Sequence, residues 1–578
     1  MEDVNIRTLS SRQKLGISPF NGKMALCMGQ YSPLVYNQML IDPISSHRLE
    51  RFPKGLLGAV LHGATMQQTA VKERRNLLAV FTVAAAAAVF ACGCGNQYRP
   101  VVTATNPVGP AGQPSGQYAI AISNPGPDPA NAATCQFLPG LLTFVDVSGD
   151  TVLSTPNILQ LPTLSPALPS PCGAPTPVNP NMFALNAAGA TTGSGSTTVS
   201  TSGYVVNPQG SFNEFPLGNP TTLLTQDVVQ TALAEGANPI SMSAISVGTT
   251  GETVFVTQAG TLPSVGPSIA ALSVSPTPSL LQPINLPPGQ IPGYVVGADG
   301  TQRVYAISQD AGGNGEVSSI EGTQLATSAT IPVGTNPVYG VMTPDTRRAF
   351  ILNQGSNNIS VINVVNNAPD TGVQFPKSSV GTIPLAVGTN PVWADLSTIN
   401  SQLAVLSKGD GTTPGTLTII NIPLCNIASP TGNPTCNLAN PTDANNFGTV
   451  LGTVSVGVNP SMVSVLSDGT QAYVVNNSDP VHCAATEGSV SVVSLSSFTV
   501  TATICGITTA LASDPNANPT LVHGHPATIA STAGKPTGKV YVTSPDSEDL
   551  TIIRTDNNTV ETHITLQGVG IRVLTTQH

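Results

Sequence analysis

The stretch VGTNPVYGVMTPDTRRAFILNQGSNNISVINV, residues 333–364, decides the fold. VYGVMT reads as a strand, PDT as a turn, RRAFILNQ as a strand, GSNN as a turn and ISVINV as a third strand. NNAPDT then leads into a fourth, GVQF. Alternating apolar and β-branched residues between Asn, Asp, Gly and Pro clusters are the mark of short strands joined by tight turns. The first six residues, VGTNPV, return at 387–392, and a near copy, VGVNPS, stands at 456–461.

The frame recurs along the chain. It is clear from Ile291, Asn390, Asn459 and His525, weaker from Asn179 and Asn238, and a first unit from Gln117 lacks its opening strand. One four-stranded sheet cannot bury both of its faces. Sheets stacked around an axis can, so four-strand repeats predict an all-β propeller. Asp299-Gly300 and Asp468-Gly469 supply the positive φ of tight hairpins. Each Pro after Asn stands at the start of an inner strand, where a missing N–H costs least. Opening strands begin near 182, 241, 293, 338, 392, 462 and 527, and GVGIRVLT begins an eighth at Gly568. The expectation is eight four-stranded blades, closed when the C-terminal strand joins the first unit. Seven is the alternative, because units 179–217 and 238–286 are degenerate.

AYVVNN at 472–477, VYVTSP at 540–545 and VSVVSL at 490–495 resemble the second and third strands of the YVTN-type, surface-layer-like β-propeller repeat family. The resemblance spans 117 to the C-terminus. It implies the architecture and says little about activity, because one fold carries many functions. Some propeller relatives are lactonases or bind haem or quinone cofactors, using ionisable residues that converge on the channel.

Composition narrows the class. The 578-residue chain is only 9% charged, and its 55 Gly and 51 Pro make about 18%. With 40% apolar residues in ordered runs it is not a disordered chain. Residues 71–95, VKERRNLLAVFTVAAAAAVFACGCG, show a basic start, a 15-residue apolar run and two cysteines. This is secretory-signal architecture, and VFAC resembles a bacterial lipobox. The expected organisation is therefore 1–65 as an over-extended start with no fold, 66–91 as a signal peptide, 92–116 as a lipidated tether and 117–578 as the propeller. Cys92 is the expected lipid anchor and Cys94 the second choice. An uncleaved membrane anchor is the alternative. From Cys92 onward there are 10 basic and 25 acidic residues, a net of −15. Nucleic acid, which needs clustered Lys and Arg, is excluded as a partner.

Six cysteines remain within the repeat region. Nearest-neighbour pairing gives Cys135–Cys172, Cys425–Cys436 and Cys483–Cys505, one of 15 possible connectivities. Three long insertions, 161–180, 424–447 and 506–524, offer loops of the kind that carry binding.

Candidate chemistry is sparse. His523 and His525 look like a metal pair, but His525 holds the repeat position of Asn336, Asn390 and Asn459, and no third ligand is evident. Asp546, Glu548 and Asp549 could attract calcium, yet read first as a solvated turn. Asp299, Asp345 and Asp468 are turn formers. Trp393 is expected in the blade core or lining the channel. Arg347 and Arg348 are expected to face solvent. No nucleophile elbow, P-loop or dinucleotide fingerprint occurs in context, so no catalytic residue, cofactor or metal site is assigned. The favoured function is a non-catalytic binding or scaffold propeller of the cell envelope, a monomer held to the membrane only by its lipid. Its expected partner is an envelope protein or glycan. The alternatives are a propeller enzyme, lactonase-like or a cofactor-dependent oxidoreductase, with a site at the channel mouth, and a surface-layer or adhesion protein.

Overall fold

The computed structural model describes residues 117–576 apart from 127–138, 157–181, 186–201, 208–209, 218–220, 222, 235, 247–251, 261–265, 275–276, 299–300, 302, 371–381, 384–386, 423–446, 485, 509–517 and 533–537. Cys92, Cys94, Cys135, Cys172, Cys425, Cys436 and Asp299 lie outside the described residues, as do the signal, the tether and the fourth strand expected at 372–375.

Almost everything described is antiparallel strand. Pro337–Met342, Arg348–Asn353 and Asn358–Asn363 pair in order, and the short strands Ala368–Pro369 and Thr382–Ile383 extend the outer edge. The same order holds from Met182–Leu185, Pro239–Ser246, Ile291–Gly297 and Thr528–Ser531. Pro391–Ser397 opens an eight-stranded sheet. There Val450–Val465 is the outer strand of one unit and the inner strand of the next, with a register shift between Pro460 and Met462. The unit of Tyr118–Asn124, Leu141–Asp146 and Thr151–Ser154 receives Val569–Thr575 on its inner side.

The repeated six residues now have a physical reason. Asn238, Asn336, Asn390 and Asn459 take the left-handed conformation, with φ of 48°, 48°, 58° and 52°. Asn tolerates this better than most residues, because its short polar side chain bonds locally. The turn carbonyl of Asn336 accepts from Gln354 N (2.9 Å), as that of Asn390 does from Lys408 N (2.9 Å). The preceding glycine has no room for a side chain: a Cβ on Gly457 would lie 2.6 Å from Asn476 Cβ. At the HGHP variant the left-handed residue is Gly524, with φ of 78°, so His525 is not a copy of the asparagine conformation.

Hydrophobic cores lie between successive units. Tyr339, Phe350 and Leu352 pack with Leu403 and Val405 of the next unit, and Ala404 and Leu406 pack with Val463, Val465 and Val474 of the one after. Ala119, Ala121 and Val145 share a core with Tyr541, Leu550 and Ile552, joining the first unit to the last. A tyrosine in the second strand reaches the neighbouring unit. Tyr473 donates to Asn558 Oδ1 (2.5 Å), Tyr305 to Asn367 Oδ1 (3.2 Å) and Tyr204 to Glu252 Oε2 (2.7 Å), and all three rings are fully buried. A buried phenol needs such a partner. Lys539 Nζ likewise bonds Asp150 (2.7 Å) across the last and first units. Repeated four-stranded sheets, each packed face to face on the next, make a β-propeller.

One expectation fails here. Arg348 is 3% exposed, paired with Asp370, and lies over Phe447 at 5.9 Å. It starts the second strand with its side chain turned into the seam between units, not toward solvent. A guanidinium can be buried when paired with a carboxylate.

Candidate functional site

The inner strands share a bulge. Register shifts separate Pro239 from Ser241, Pro292 from Tyr294, Pro337 from Tyr339, Pro391 from Trp393 and Pro460 from Met462, and one falls between Gly570 and Arg572. A bulge re-aims the side chain that follows it. The residue two places after each proline is thus equivalent from unit to unit, and Arg572 holds that place on the C-terminal strand.

These residues meet. The rings of Tyr294 and Tyr339 lie 4.8 Å apart, and Tyr339 stacks on Trp393 at 4.2 Å and 29°. The Arg572 guanidinium lies 5.4 Å from the centroid of Trp393. Arg572 and Trp393 belong to separate sheets, and the first strands of successive units pack side by side. Tyr339 is 9% exposed, while Tyr294, Trp393 and Arg572 are half-buried. Trp393 also packs against three of the hydrophobic cores between units.

Burial dominates the electrostatics of the two tyrosines. Burial pushes the Tyr339 phenol up, Tyr294 and Asp395 add to this, and the Arg572 charge only partly opposes it. Burial likewise raises Tyr294 against the pull of Arg572 and a hydrogen bond with Tyr339. Both phenols stay protonated near neutrality. Asp395 accepts from Leu396 N (2.8 Å) and Val465 N (2.7 Å), tying two inner strands together.

A second polar cluster lies in the last unit. His523 is fully buried and its Nδ1 is 2.8 Å from Asp549 Oδ2. Its ring stacks on His563 at 3.6 Å and 11°, and His563 Nε2 is 2.9 Å from Leu521 O. Burial raises Asp549, but hydrogen bonds from His523 and Thr565 and the nearby imidazoles outweigh it and hold the carboxyl low. Burial and the His523 charge lower His563. His525 sits apart, with Nδ1 2.6 Å from Asp546 Oδ2 and Nε2 3.0 Å from Thr486 O. Burial lowers it, but the bonds to Asp546 and Thr486 prevail and raise it. The acidic triplet is thereby divided: Asp546 serves His525, Asp549 serves His523 and Glu548 is exposed. Among the described residues no group of three or more His, Cys, Asp or Glu is placed to hold a metal ion.

The remaining sequence candidates are local. Asp345 Oδ1 accepts from Thr343 Oγ1 (2.5 Å) and Arg347 N (3.2 Å), and Asp468 Oδ1 from Thr470 N (2.9 Å), as turn formers do. Arg347 is half-buried. Cys483 and Cys505 are joined, with S–S 2.03 Å, tying the 479–488 loop to an outer strand. The sequence reading missed Tyr294, Tyr339 and Arg572 as partners of Trp393. For Tyr294 and Tyr339 the available signal was their place two residues after the proline of the inner strand, and Arg572, which follows no proline, carried none. Among the described residues no helix is long and apolar enough to cross a membrane.

No family model matches the chain, and no curated protein does. Solved structures do. The dihydro-heme d1 dehydrogenase NirN is 12% identical over 80% of this chain and 76% of its own, with a TM-score of 0.46. AztD of Citrobacter koseri is 9% identical over 79% and 97%, with a TM-score of 0.44. The β-propeller domain of Myceliophteria thermophila Cps50 (Swd1) is 7% identical over 58% and 88%, with a TM-score of 0.37. Likeness at this level says nothing of what the chain binds.

Proposed function

We propose that the protein is a non-catalytic binding or scaffold module, an eight-bladed YVTN-type propeller exported to the cell envelope and anchored by a lipid on Cys92 or Cys94. The observation that carries the functional part is the Tyr294–Tyr339–Trp393–Arg572 cluster. Aromatic faces and a permanent cation are the groups that ligand sites use, and burial keeps both phenols protonated near neutrality.

The count of eight is supported by dividing the eight-stranded sheet at Pro460, which turns seven sheets into eight. Ring closure through Val569–Thr575 is supported by its pairing with Tyr118–Asn124 and by the core shared between first and last units. Export is supported by the signal-like run at 71–95, and a Cys483–Cys505 disulfide suits an oxidising compartment. The partner is an envelope protein or glycan, the chain acts as a monomer, and its contact with the membrane is the lipid alone.

The test is made on protein isolated from its own host. A diacylglyceryl Cys92 or Cys94 in the N-terminal peptide, with no turnover of sugar lactones, is the expected result. Steady lactone hydrolysis, or a co-purifying redox cofactor, overturns the non-catalytic reading. An intact Met1 overturns the anchor.

A further inference from the structure

Two histidines two residues apart in the last unit are held in opposite ways. His523 is fully buried where Val522 and His523 pair with Gly506 and Ile507 of the outer strand Thr499–Ile507 and pack on the third strand Asp549–Arg554. Its N–H donates to Thr551 Oγ1 (3.3 Å) and its carbonyl accepts from Ser544 Oγ (2.6 Å). Its ring lies flat on that of His563, centroids 3.6 Å apart. The partners set the tautomers, because a carboxylate and a carbonyl only accept. His523 Nδ1 therefore donates to Asp549 Oδ2, and His563 Nε2 donates to Leu521 O. His523 Nε2 is then the bare nitrogen, buried and without a partner among the described residues. A further proton on the pair has two places to go. On His523 Nε2 it makes a buried N–H with no acceptor. On His563 Nδ1 it lays a cation against the other imidazole in a half-buried site.

We propose that the stacked pair is an acid-sensitive latch on the connection 518–524, which comes away from the last unit locally when the pair takes up a proton. The device is independent of the binding-module reading. Burial and the His523 imidazole hold His563 below its ordinary range, so acid favours the open form. The groups facing the pair do not offset the added charge. Asp549 is already engaged by His523 and Thr565. Glu561, two places before His563 on its own strand, lies 3.5 Å from Lys539. Asp546 is engaged by His525, Glu487 accepts from Thr508 Oγ1 (3.1 Å), and Glu548 is exposed. Thr499–Ile507 brings no charged residue.

Opening breaks the bonds of Leu521 O, His523 and Gly524, whose N–H donates to Ile507 O (2.9 Å). It stops at His525. There Nδ1 faces Asp546 Oδ2 at 2.6 Å and Nε2 faces Thr486 O at 3.0 Å, and only the protonated ring donates to both. Acid thus fixes one end of the connection while it releases the other.

Hydrogen–deuterium exchange of the purified full-length protein at pH 7 and pH 5, corrected for the intrinsic rate at each, reads the latch. The ordinary imidazole value of about 6.5 lies about 1.5 units above pH 5, so one proton favours the open form by up to about thirtyfold. The expected result is about tenfold less protection at pH 5 in the peptide 518–524, with 348–363 of a distant unit unchanged. His563→Gln should make the protection of 518–524 equal at the two pH values. Should that variant fail to fold by circular dichroism, His563→Phe keeps the stack without a titrating nitrogen and must do the same. Equal protection of 518–524 at both pH values in the parent overturns the latch. So does an equal loss in 348–363, or a loss that persists in the folded variant.

Discussion

The junction between units makes a sharp prediction at Gly415. This residue is the second of the third strand Pro414–Asn421, at the register shift between Pro414 and Thr416, and the proline of the following inner strand lies directly on it. A Cβ at Gly415 would fall 2.5 Å from Pro460 Cγ, 2.6 Å from Cδ and 2.6 Å from the carbonyl oxygen of Ser407. Carbon atoms sit comfortably at about 3.5–4.0 Å, so the methyl intrudes by about 1 Å on a rigid ring and a backbone atom. Neither can swing aside. Gly415→Ala should therefore cost about 2–3 kcal/mol, the upper range for an overpacked core. Gly293, on the exposed start of an inner strand, has nothing within 4 Å of the same methyl. There alanine should be neutral or stabilise by up to about 1 kcal/mol, because it restricts the unfolded chain. Chemical denaturation of both variants, monitored by circular dichroism, measures the contrast. One of the two clash partners is a side chain, so Pro460→Ala should relieve part of the cost: in that background Gly415→Ala should cost about 1 kcal/mol less, the rest remaining with the Ser407 carbonyl. Equal effects at Gly415 and Gly293, or no rescue by Pro460→Ala, refute the idea that glycine and proline lock one unit to the next.

Three further outcomes follow from other contacts. Reducing Cys483–Cys505, a closure of 22 residues, should lower stability by about 3 kcal/mol on loop entropy, read as a drop in denaturation midpoint with reductant that the Cys483→Ser/Cys505→Ser variant does not show. Arg348→Met should cost about 3–5 kcal/mol, because it strands the buried Asp370 carboxylate, and Arg348→Met with Asp370→Leu should recover most of that in the same denaturation assay. The histidines give opposing pH responses. His563 is held below its ordinary range, so its contribution is present above the unfolded value of about 6.5 and is lost as pH falls; His525 is raised, so its contribution is present below that value and is lost as pH rises. Between about pH 7 and pH 5, His563→Gln should gain stability relative to the parent and His525→Gln should lose it, and parallel midpoint profiles would sink both assignments.

The parts of the fold legible in the sequence were those written in local chemistry. VGTNP repeats because glycine lies against the second strand, asparagine turns left-handed and proline opens the inner strand, and each demand restricts residue type at a fixed spacing. Asp345 and Asp468 were legible as turn formers for the same reason. Arg348 was not. Its place at the start of a strand suggests solvent, and only the arrival of Asp370, 22 positions on, makes burial tolerable. Local pattern carries no information about such a partner. Arg572 was harder still. Its strand lacks the Asn-Pro signal, since Val569-Gly570 stands there instead. Its alignment with Tyr294, Tyr339 and Trp393 appears only once the bulge opposite Ile122 and Ser123 is known. A repeat makes each position nearly interchangeable for building the scaffold. A residue that departs from what its equivalents need, as Arg572 departs from Thr528 and Ser241, is therefore where selection for something other than folding becomes visible. That departure is recognisable only after the register is fixed, which is why the architecture was readable before the site.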